Sequence, residues 1–434
     1  MKKNKNELSE SIFGYRYVAK DRKVSNNTRV TGNNNNDAII GVSGSGKTSG
    51  YVIPNLLVAE HSMVVADTKC QLSRHFRKSL ENRGFEVKVL DFFHPEASDC
   101  YNPLDYVTRY PDGTYREQDL KTIAEIMIPN SLDEDEIFWP SRARIVLISL
   151  LAYVLETLPE EEQHMGSVVK LYRQMLKETS SDQNVSTVSF FEQLAVMDPD
   201  SFAVAMYHMY YADMPAEKMW ASINAFVSMA LDVFNYHEFR RMLCSKEGID
   251  LAAPGERRTV IFVNTSDTDR SMDRVVNLFY TQLFQVLCAT ADRQEDERLK
   301  VPVRVIIDDF AANVIIPDFD NLISVIRSRE IYVSIILQNY LQLEGKYDRA
   351  GANTIMENCD TLIFLGARTV SSAEYFAKMA GKLPETILSM PRDKMWLFRR
   401  GDAPELTDKL TPYFASKEFS QEADYGEKDL QKGA

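Results

Sequence analysis

The chain has 434 residues, of which 44% are hydrophobic and 26% are charged, and its formal net charge is −13. This is the composition of an ordinary globular protein, and roughly 150 residues per domain predicts two or three domains. The acidic balance excludes a protein that coats nucleic acid through bulk positive charge. Any contact with a polyanion must therefore come from a local patch, such as the lining of a pore.

Residues 1–36 are predicted to form a basic N-terminal segment without a transmembrane helix. The first 31 residues carry eight Lys or Arg side chains and three acidic ones. No apolar stretch follows this basic start, so no signal peptide is expected. Five scattered cysteines without a C-x-x-C pair indicate a reducing compartment rather than a disulfide framework or a zinc ribbon. We therefore expect a cytoplasmic protein.

Short apolar strands alternate with helical stretches between Asp37 and Asp91. The predicted strands are Ala38–Ile40, Ser62–Ala66 and Phe85–Leu90. Such alternation is typical of βαβ units, in which parallel strands form a sheet that helices cover. This part of the chain is therefore predicted to be α/β.

Residues 105–249 show no convincing strand and instead repeat apolar residues at helical spacing. The longest apolar run, Ile145–Leu155, is interrupted by Ser149. It is shorter than the roughly 20 residues that span a bilayer, so it predicts a buried helix.

Strand-like sequences return after residue 250, at Thr259–Val263, Val303–Ile307, Tyr332–Leu337 and Thr361–Leu365. Helices are predicted between them, at Met272–Arg293, Pro317–Arg329 and Ser371–Ala380.

Two domain organisations fit this order: three consecutive domains, or one parallel sheet interrupted by a helical insertion. We favour insertion, because the first segment supplies three strands, too few to bury both faces of a sheet. It also lacks the acidic strand end that its phosphate loop requires. The predicted domains are a nucleotide-binding domain in two parts (37–104 and 250–420), an inserted all-α domain (105–249) and a C-terminal tail (421–434).

A phosphate-binding motif follows the first predicted strand. Residues 41–48, Gly-Val-Ser-Gly-Ser-Gly-Lys-Thr, match G-x-x-x-x-G-K-[ST] in full. In this motif Lys47 would reach the β- and γ-phosphates of ATP, and the Thr48 hydroxyl would hold Mg²⁺. The predicted nucleotide-binding residues are Gly41, Ser43, Gly44, Ser45, Gly46, Lys47 and Thr48. A Gly/Ser-rich turn without a ligand is the alternative. Pro54 is predicted to bend or shorten the helix that follows.

The second acidic element is the strand that ends at Asp308 and Asp309, the one predicted strand followed by paired carboxylates. Asp308 is expected to hold Mg²⁺ and Asp309 to polarise the attacking water; a solvated turn is the alternative. Gln338 ends a later strand, level with Asp308, where its amide could respond to the γ-phosphate. It could equally be a turn residue, and Arg327 could be a cation that a helix C-terminus favours.

Taken together, these stretches resemble one family, the type IV secretion coupling proteins of conjugation systems. These TraG/TraD-like ATPases are related to the FtsK and HerA DNA pumps. The resemblance runs from about Asp37 to Phe419, in the order GVSGSGKTSGYVIPNLL, VVADTKCQL, YNPLDYV, VIIDDFAANVIIPDFDNLISVIRSR, ILQNYLQLEGKYDRAGANTIMENCDTLIFLG and MPRDKMWLFRRG.

The resemblance implies a RecA-like nucleotide-binding domain with an inserted all-α domain, working as a homo-hexamer with ATP and Mg²⁺. It implies that Lys47 and Thr48 are the phosphate-loop pair and Asp308 the Mg²⁺-linked carboxylate. It also implies that Gln338 senses the γ-phosphate and that Arg327 reaches the ATP of a neighbouring subunit. Cargo would be received by the helical domain.

Three departures from the family pattern accompany these matches. The family's N-terminal transmembrane helices are not seen in the sequence, and Asp309 stands where the family has Glu. The family's D-P-K-G-E element reads Asp67-Thr-Lys-Cys-Gln71. We therefore expect slow ATP hydrolysis, and attachment to the membrane through a partner.

Three functions remain open from the sequence. The leading hypothesis is a coupling protein that delivers single-stranded DNA with its relaxase, or a protein, to a secretion channel or membrane-anchored partner. The second is a soluble DNA-translocating motor or helicase. The third is a weakly hydrolysing nucleotide-binding adaptor that recruits protein substrates. Steady ATPase activity stimulated by single-stranded DNA would exclude the adaptor.

Overall fold

The computed structural model describes residues 12–130, 138–180, 189–212, 217–246, 248–266, 268–311 and 314–410. The predicted tail at 421–434 and the lysines at positions 2, 3 and 5 lie outside these residues. Contacts divide the chain into two units. The first comprises residues 1–89, 250–268 and 283–434, and the second comprises 90–249 and 269–282. Residues 90–104 and 269–282 thus belong to the second unit, whereas the sequence analysis assigned them to the nucleotide-binding domain.

The first unit contains a nine-stranded, mainly parallel sheet in the order β11-β10-β9-β3-β8-β7-β4-β6-β5. Its strands are β3 (Asp37–Ile40), β4 (Ser62–Asp67), β5 (Glu86–Asp91), β6 (Thr259–Asn264), β7 (Val303–Ile307), β8 (Ile331–Leu337), β9 (Thr361–Phe364), β10 (Lys394–Arg399) and β11 (Glu405–Asp408). Strands β9, β3, β8, β7, β4 and β6 are parallel neighbours, whereas β10 runs antiparallel to β9 and to β11. The central strands are largely apolar because helices cover both faces of a parallel sheet, with Asp37 of β3 and Arg304 of β7 as charged exceptions.

The helices of the first unit occupy the connections between these strands. They are α1 (Thr28–Thr31), α2 (Ile53–Leu57), α3 (Leu72–Asn82), α11 (Ala253–Glu256), α13 (Phe319–Val325), α14 (Tyr340–Glu357), α15 (Val370–Ala380) and α16 (Pro384–Leu388). A π-helical turn, Thr48–Val52, leads into α2, which ends after one further turn. The short helix agrees with the effect predicted for Pro54.

The second unit is helical. Its helices are α4 (Glu117–Met127), α5 (Phe138–Thr157), α6 (Met165–Ser180), α7 (Phe190–Met197), α8 (Phe202–Ala212), α9 (Glu217–Leu231) and α10 (Arg240–Leu243). Helix α12 (Asp273–Asp292) begins in this unit and ends in the first. Aromatic rings fill part of the core of the second unit. Phe191 stacks on Tyr207 with ring centroids 4.3 Å apart, and Tyr153 packs edge-on against Phe190 with ring centroids 5.0 Å apart.

Helix α5 is the one helix, among the described residues, that is long and apolar enough to cross a membrane. Within its most apolar stretch, 61% of the residues are buried. Its buried side chains include Val146, Leu150 and Val154. A core helix of a helical unit has this composition and this burial, as the sequence predicted for Ile145–Leu155.

Residues 12–36 of the N-terminal segment contain strands that the sequence analysis did not predict. Strands β1 (Tyr15–Ala19) and β2 (Arg22–Ser25) form an antiparallel hairpin. Arg16, counted in the sequence as part of a basic patch, is 2% exposed and contributes no surface charge. Its guanidinium pairs with Asp37 because a charge taken out of water needs a counter-ion.

This pair belongs to a buried ionic cluster, defined here as Arg16, Asp37, Arg304 and Tyr51. Arg16 donates to both carboxylate oxygens of Asp37, at 2.8 and 2.9 Å. Arg304 donates to Asp37 at 3.1 Å, and the Tyr51 hydroxyl donates to the same carboxylate. Asp37 opens the strand that leads into the phosphate loop, and Tyr51 lies on the turn after it. The cluster therefore ties the N-terminal hairpin to both ends of the loop.

Candidate functional site

The loop after β3 has the curled backbone of a phosphate cradle. Gly44 and Gly46 have φ values of 75° and 90°, a region that side chains with a Cβ avoid. A Cβ on Gly41 would lie 2.5 Å from Ser45 Oγ and 2.8 Å from Leu365 Cβ. Glycine is therefore required at Gly41 by close packing and at the other two positions by backbone conformation. Ser45 Oγ is buried and has no hydrogen-bond partner in the described part of the chain.

Lys47 lies over this loop. Its ammonium group donates to the carbonyl oxygens of Gly41, at 2.8 Å, and Val42, at 3.3 Å. Burial lowers the pKa of Lys47, and the charges of Asp308 and Asp309 oppose that shift. A cation that is held among carbonyl groups above a curled loop can approach the terminal phosphates of a nucleotide.

Thr48 and Asp308 meet at the carboxyl edge of the sheet. The Thr48 hydroxyl lies 3.5 Å from Asp308 Oδ2. Strands β3 and β7, which precede the two residues in the chain, are separated by β8 rather than adjacent. Burial, and then the charge of Asp309, raise the pKa of Asp308 to about 6. A hydroxyl and a carboxylate at this separation form a donor set that suits Mg²⁺, and a divalent cation would favour the ionised carboxylate.

Asp309 occupies a tight left-handed turn immediately after Asp308. Its φ is 50°, and its amide donates to Asp308 Oδ1 at 2.9 Å. The next residue, Phe310, is fully buried, and its amide donates to the Ile336 carbonyl of β8 at 3.0 Å. Asp tolerates left-handed backbone better than most side chains. The conformation of this turn is therefore one physical reason for Asp rather than Glu at this position.

The side chain of Gln338 lies beside Asp309 rather than beside Asp308. Its side-chain amide lies 3.4 Å from Asp309 Oδ1. The register of β7 and β8 pairs Ile307 with Ile335, so Gln338 extends beyond the level of Asp308. Gln338 also lines a cavity of about 470 Å³ beside the phosphate loop. Other residues of the cavity wall include Val42, Ser43, Arg368, Ser371 and Ser372.

Arg327 lies apart from these residues. It belongs to the 3₁₀ turn Ile326–Arg329, which precedes β8, and its guanidinium donates to the Gly32 carbonyl at 2.8 Å. The phosphate loop is at the carboxyl edge of the sheet, whereas Arg327 is at the amino edge. The seven residues of β8 separate the two edges by about 20 Å. Arg327 therefore cannot contact the phosphate loop of its own chain.

The sequence analysis missed a second lysine at the loop. Lys409, just after β11, donates to the carbonyl oxygens of Leu365, at 3.0 Å, and Ser45, at 3.4 Å. No motif marks this residue. The buried ionic cluster was also missed, although Arg304 lies inside a predicted buried strand and Asp37 directly precedes another, a pattern that predicts pairing.

Comparison with solved structures supports the fold. The plasmid coupling protein TrwB in complex with ADP and Mg²⁺ is similar, with a TM-score of 0.61 at 15% identity, over 87% of this chain and 86% of that one. TrwB in complex with a non-hydrolysable ATP analogue gives a TM-score of 0.60 at 14% identity, over 87% and 85% of the two chains. The predicted RecA-like α/β fold is therefore confirmed.

Sequence comparisons identify relatives among known proteins and a family. The chain is 22% identical to a VirD4 protein of Rhizobium rhizogenes over 370 residues, and 22% identical to one of Agrobacterium fabrum over 357 residues. These alignments cover 82% and 79% of this chain but 50% and 49% of the relatives, so the chain spans about half their length. The family described as type IV secretory system conjugative DNA transfer matches residues 1–386. The chain therefore belongs to this family of conjugative DNA transfer proteins.

Proposed function

We propose that this chain is an ATP-dependent coupling protein of conjugative transfer. It would recruit a relaxase bound to single-stranded DNA, or a protein cargo, and drive its delivery to a type IV secretion channel. The observation that carries this proposal is the meeting of Lys47, Thr48 and Asp308 at one edge of the sheet, in a chain of this family. TrwB binds ADP and Mg²⁺, which supports ATP and Mg²⁺ as the cofactors here.

Each residue of the site is given a proposed role that its position supports. Lys47 neutralises the β- and γ-phosphates, and the amides of the curled loop donate to their oxygens. Thr48 and Asp308 provide oxygen ligands for Mg²⁺, which would neutralise charge on the phosphates when bound. Asp309 orients the attacking water. Gln338, which lies within reach of Asp309, responds to the γ-phosphate.

The single experiment that tests this function measures ATP turnover with and without single-stranded DNA. We expect slow basal turnover that single-stranded DNA stimulates. The Asp309 carboxylate should end roughly 1.5 Å short of the position that Glu would reach. Because misplacement of about 1 Å costs on the order of 100-fold in rate, Asp309→Glu should turn ATP over faster, by up to that factor. Nucleotide affinity should change little, since Lys47, Thr48 and Asp308 determine it.

Two outcomes of this experiment would contradict parts of the proposal. If Asp309→Glu is no faster, with and without DNA, then Asp309 is either already well placed or not the group that positions the water, and the predicted shortfall in reach is wrong. Tight ATP binding without turnover in both proteins would instead favour the nucleotide-binding adaptor. A matched control is Asp292→Glu, which lengthens a carboxylate that is bound to Arg329 outside the site.

The active assembly is proposed to be a homo-hexamer in which Arg327 acts on the neighbour's ATP. Its position at the amino edge supports this role, because it cannot reach the nucleotide of its own chain. Among the described residues, Arg327 has no acidic partner; its recorded contact is the Gly32 carbonyl. An arginine without a counter-ion is available for an anion on another subunit.

A mixing experiment tests this assembly. Arg327→Ala and Lys47→Ala proteins should each be inactive, whereas a 1:1 mixture assembled together should recover activity. Random assembly places a subunit with an intact Lys47 opposite a neighbour with an intact Arg327 at about one quarter of the interfaces. Arg77→Ala, which removes an exposed helix arginine, is the control and should be as active alone as the wild type. A mixture as inactive as its parents, with mixed assemblies verified by native mass spectrometry, would contradict the role of Arg327.

The chain is proposed to work at the cytoplasmic face of the membrane, together with a secretion-channel or membrane-anchor partner. Basic residues of the N-terminal segment could add about 1 kcal/mol each near anionic lipid. Arg16 is excluded from this contribution because it is buried. Co-sedimentation with membranes should therefore depend on the partner; salt-resistant sedimentation of the protein expressed alone would contradict this placement.

A further inference from the structure

The second lysine at the phosphate loop is held in place by the C-terminal hairpin of the sheet. Strands β10 and β11 pair in a register that places Lys394 opposite Asp408. The amide of Lys409, the next residue, donates to the Asp393 carbonyl at 2.8 Å. Leu410 then joins the hydrophobic core of the first unit. The backbone is therefore fixed on both sides of Lys409.

The side chain of Lys409 connects the loop to the end of β9. Its half-buried ammonium group donates to the Leu365 carbonyl and to the Ser45 carbonyl. Burial lowers the pKa of Lys409, and the charge of Asp393 opposes that shift. Leu365 is also the residue against which Gly41 packs. One cation thus joins the two segments that confine the loop.

This contact bears on the anion-binding face of the loop. The carbonyl of Ser45 and the amide of Gly46 belong to one planar peptide unit. A cation that binds the carbonyl oxygen polarises that unit and makes its N–H a stronger donor, because hydrogen bonds in series reinforce each other. The Gly46 amide belongs to the curled loop whose N–H groups cradle a phosphate.

We propose that Lys409 is a positioning residue of the nucleotide site: it clamps the Ser45 carbonyl to the end of β9 and so stabilises the phosphate-binding form of the loop. This inference rests on the proposed nucleotide-binding function. Lys409 lies beyond residue 386, where the family match ends, and no motif of the loop includes it. It acts through the loop backbone rather than as a substitute for Lys47.

The test is the affinity for ADP with Mg²⁺, measured by isothermal titration calorimetry on the full chain. Lys409→Met should weaken binding about tenfold, the effect of losing one charge-assisted hydrogen bond. Lys409→Arg, which can donate to the same two carbonyls, should recover most of the affinity. Lys409→Gln keeps a neutral donor, so its affinity should lie between those of the Met and Arg variants. It replaces Lys409→Met in the test if the Met variant does not fold.

A second readout separates the clamp from general destabilisation. Without nucleotide, amide hydrogen exchange should become faster in Lys409→Met within residues 41–48, and should not change in α3. The matched control is Lys394→Met, which removes the neighbouring pair with Asp408 on the same hairpin and should leave both readouts as in the wild type.

The outcomes distinguish this inference from the function on which it rests. A wild-type protein that binds no nucleotide would overturn the proposed function. Wild-type affinity and loop exchange in Lys409→Met, in a protein whose binding depends on Lys47, would overturn the clamp alone. Equal weakening by Lys394→Met would also overturn it, because the effect would then belong to the hairpin.

Discussion

Replacing Lys47 with alanine is expected to weaken nucleotide binding by about 100-fold and to abolish measurable ATP turnover. The motif assigns the Lys47 ammonium to the β- and γ-phosphates, and this group donates to the Gly41 and Val42 carbonyls of the curled loop. A charge-assisted hydrogen bond contributes about 1.5–3 kcal/mol, which corresponds to at least a tenfold change in affinity. Loss of charge neutralisation in a partly buried site adds to that effect. Calorimetric titration with ADP and Mg²⁺ measures the change.

The control for this prediction is Lys78→Ala, which removes an exposed lysine on α3, remote from the phosphate loop. It should bind nucleotide as the wild type does. The amides of the curled loop still donate to the phosphates in Lys47→Ala, so some binding should survive there. Lys47→Ala/Lys409→Met should weaken it further, because the loop is then no longer clamped. Unchanged affinity in the single variant would remove the assignment of the phosphate loop.

Replacing Asp37 with asparagine should destabilise the first unit by about 3–5 kcal/mol. The substitution keeps the shape of the side chain but leaves Arg16 and Arg304 without a negative charge, and both are at most 2% exposed. Removing one partner of a buried ion pair costs this much because the remaining charge stays out of water. Urea unfolding followed by far-UV circular dichroism measures the shift in midpoint.

Two further variants make this prediction specific. Glu81→Gln removes an exposed ion pair within α3, with Arg77, and should change stability by no more than about 0.5 kcal/mol. Adding Arg304→Met to Asp37→Asn removes one of the two buried charges that lack a partner, and it should restore part of the lost stability. A single variant as stable as the wild type would mean that the cluster is solvated.

Much of the parallel sheet could be predicted because its strands are short and mostly apolar runs. Strand β7 was predicted at Val303–Ile307, where it lies, and β8 began one residue earlier than predicted. Strands β10 and β11 were missed, as was the hairpin of β1 and β2. These strands lie at an edge or outside the main sheet, where pairing with another strand holds them in place. Local pattern carries little information on such pairing.

Some residues of the candidate site could also be predicted from the sequence, whereas others depend on the tertiary structure. Lys47 and Thr48 follow from a contiguous motif, and Asp308 follows from its place at the end of an apolar strand. The left-handed conformation of Asp309 could not be predicted, because it results from anchoring Phe310 in the core and on β8. Arg327 was predicted by resemblance, and its role in a neighbouring subunit stays a prediction.

The features that depend on nearby residues follow from the amino-acid sequence alone. These are the glycines that permit the loop to curl, the apolar strands, the helical periodicity and the family to which the chain belongs. The tertiary structure decided the order of the strands, which brings Thr48 to Asp308 across β8. It also decided which charges are buried together and where Lys409 donates. The physical reason is that a hydrogen bond or ion pair requires a definite separation of a few ångströms, and only the packing of distant segments sets that distance.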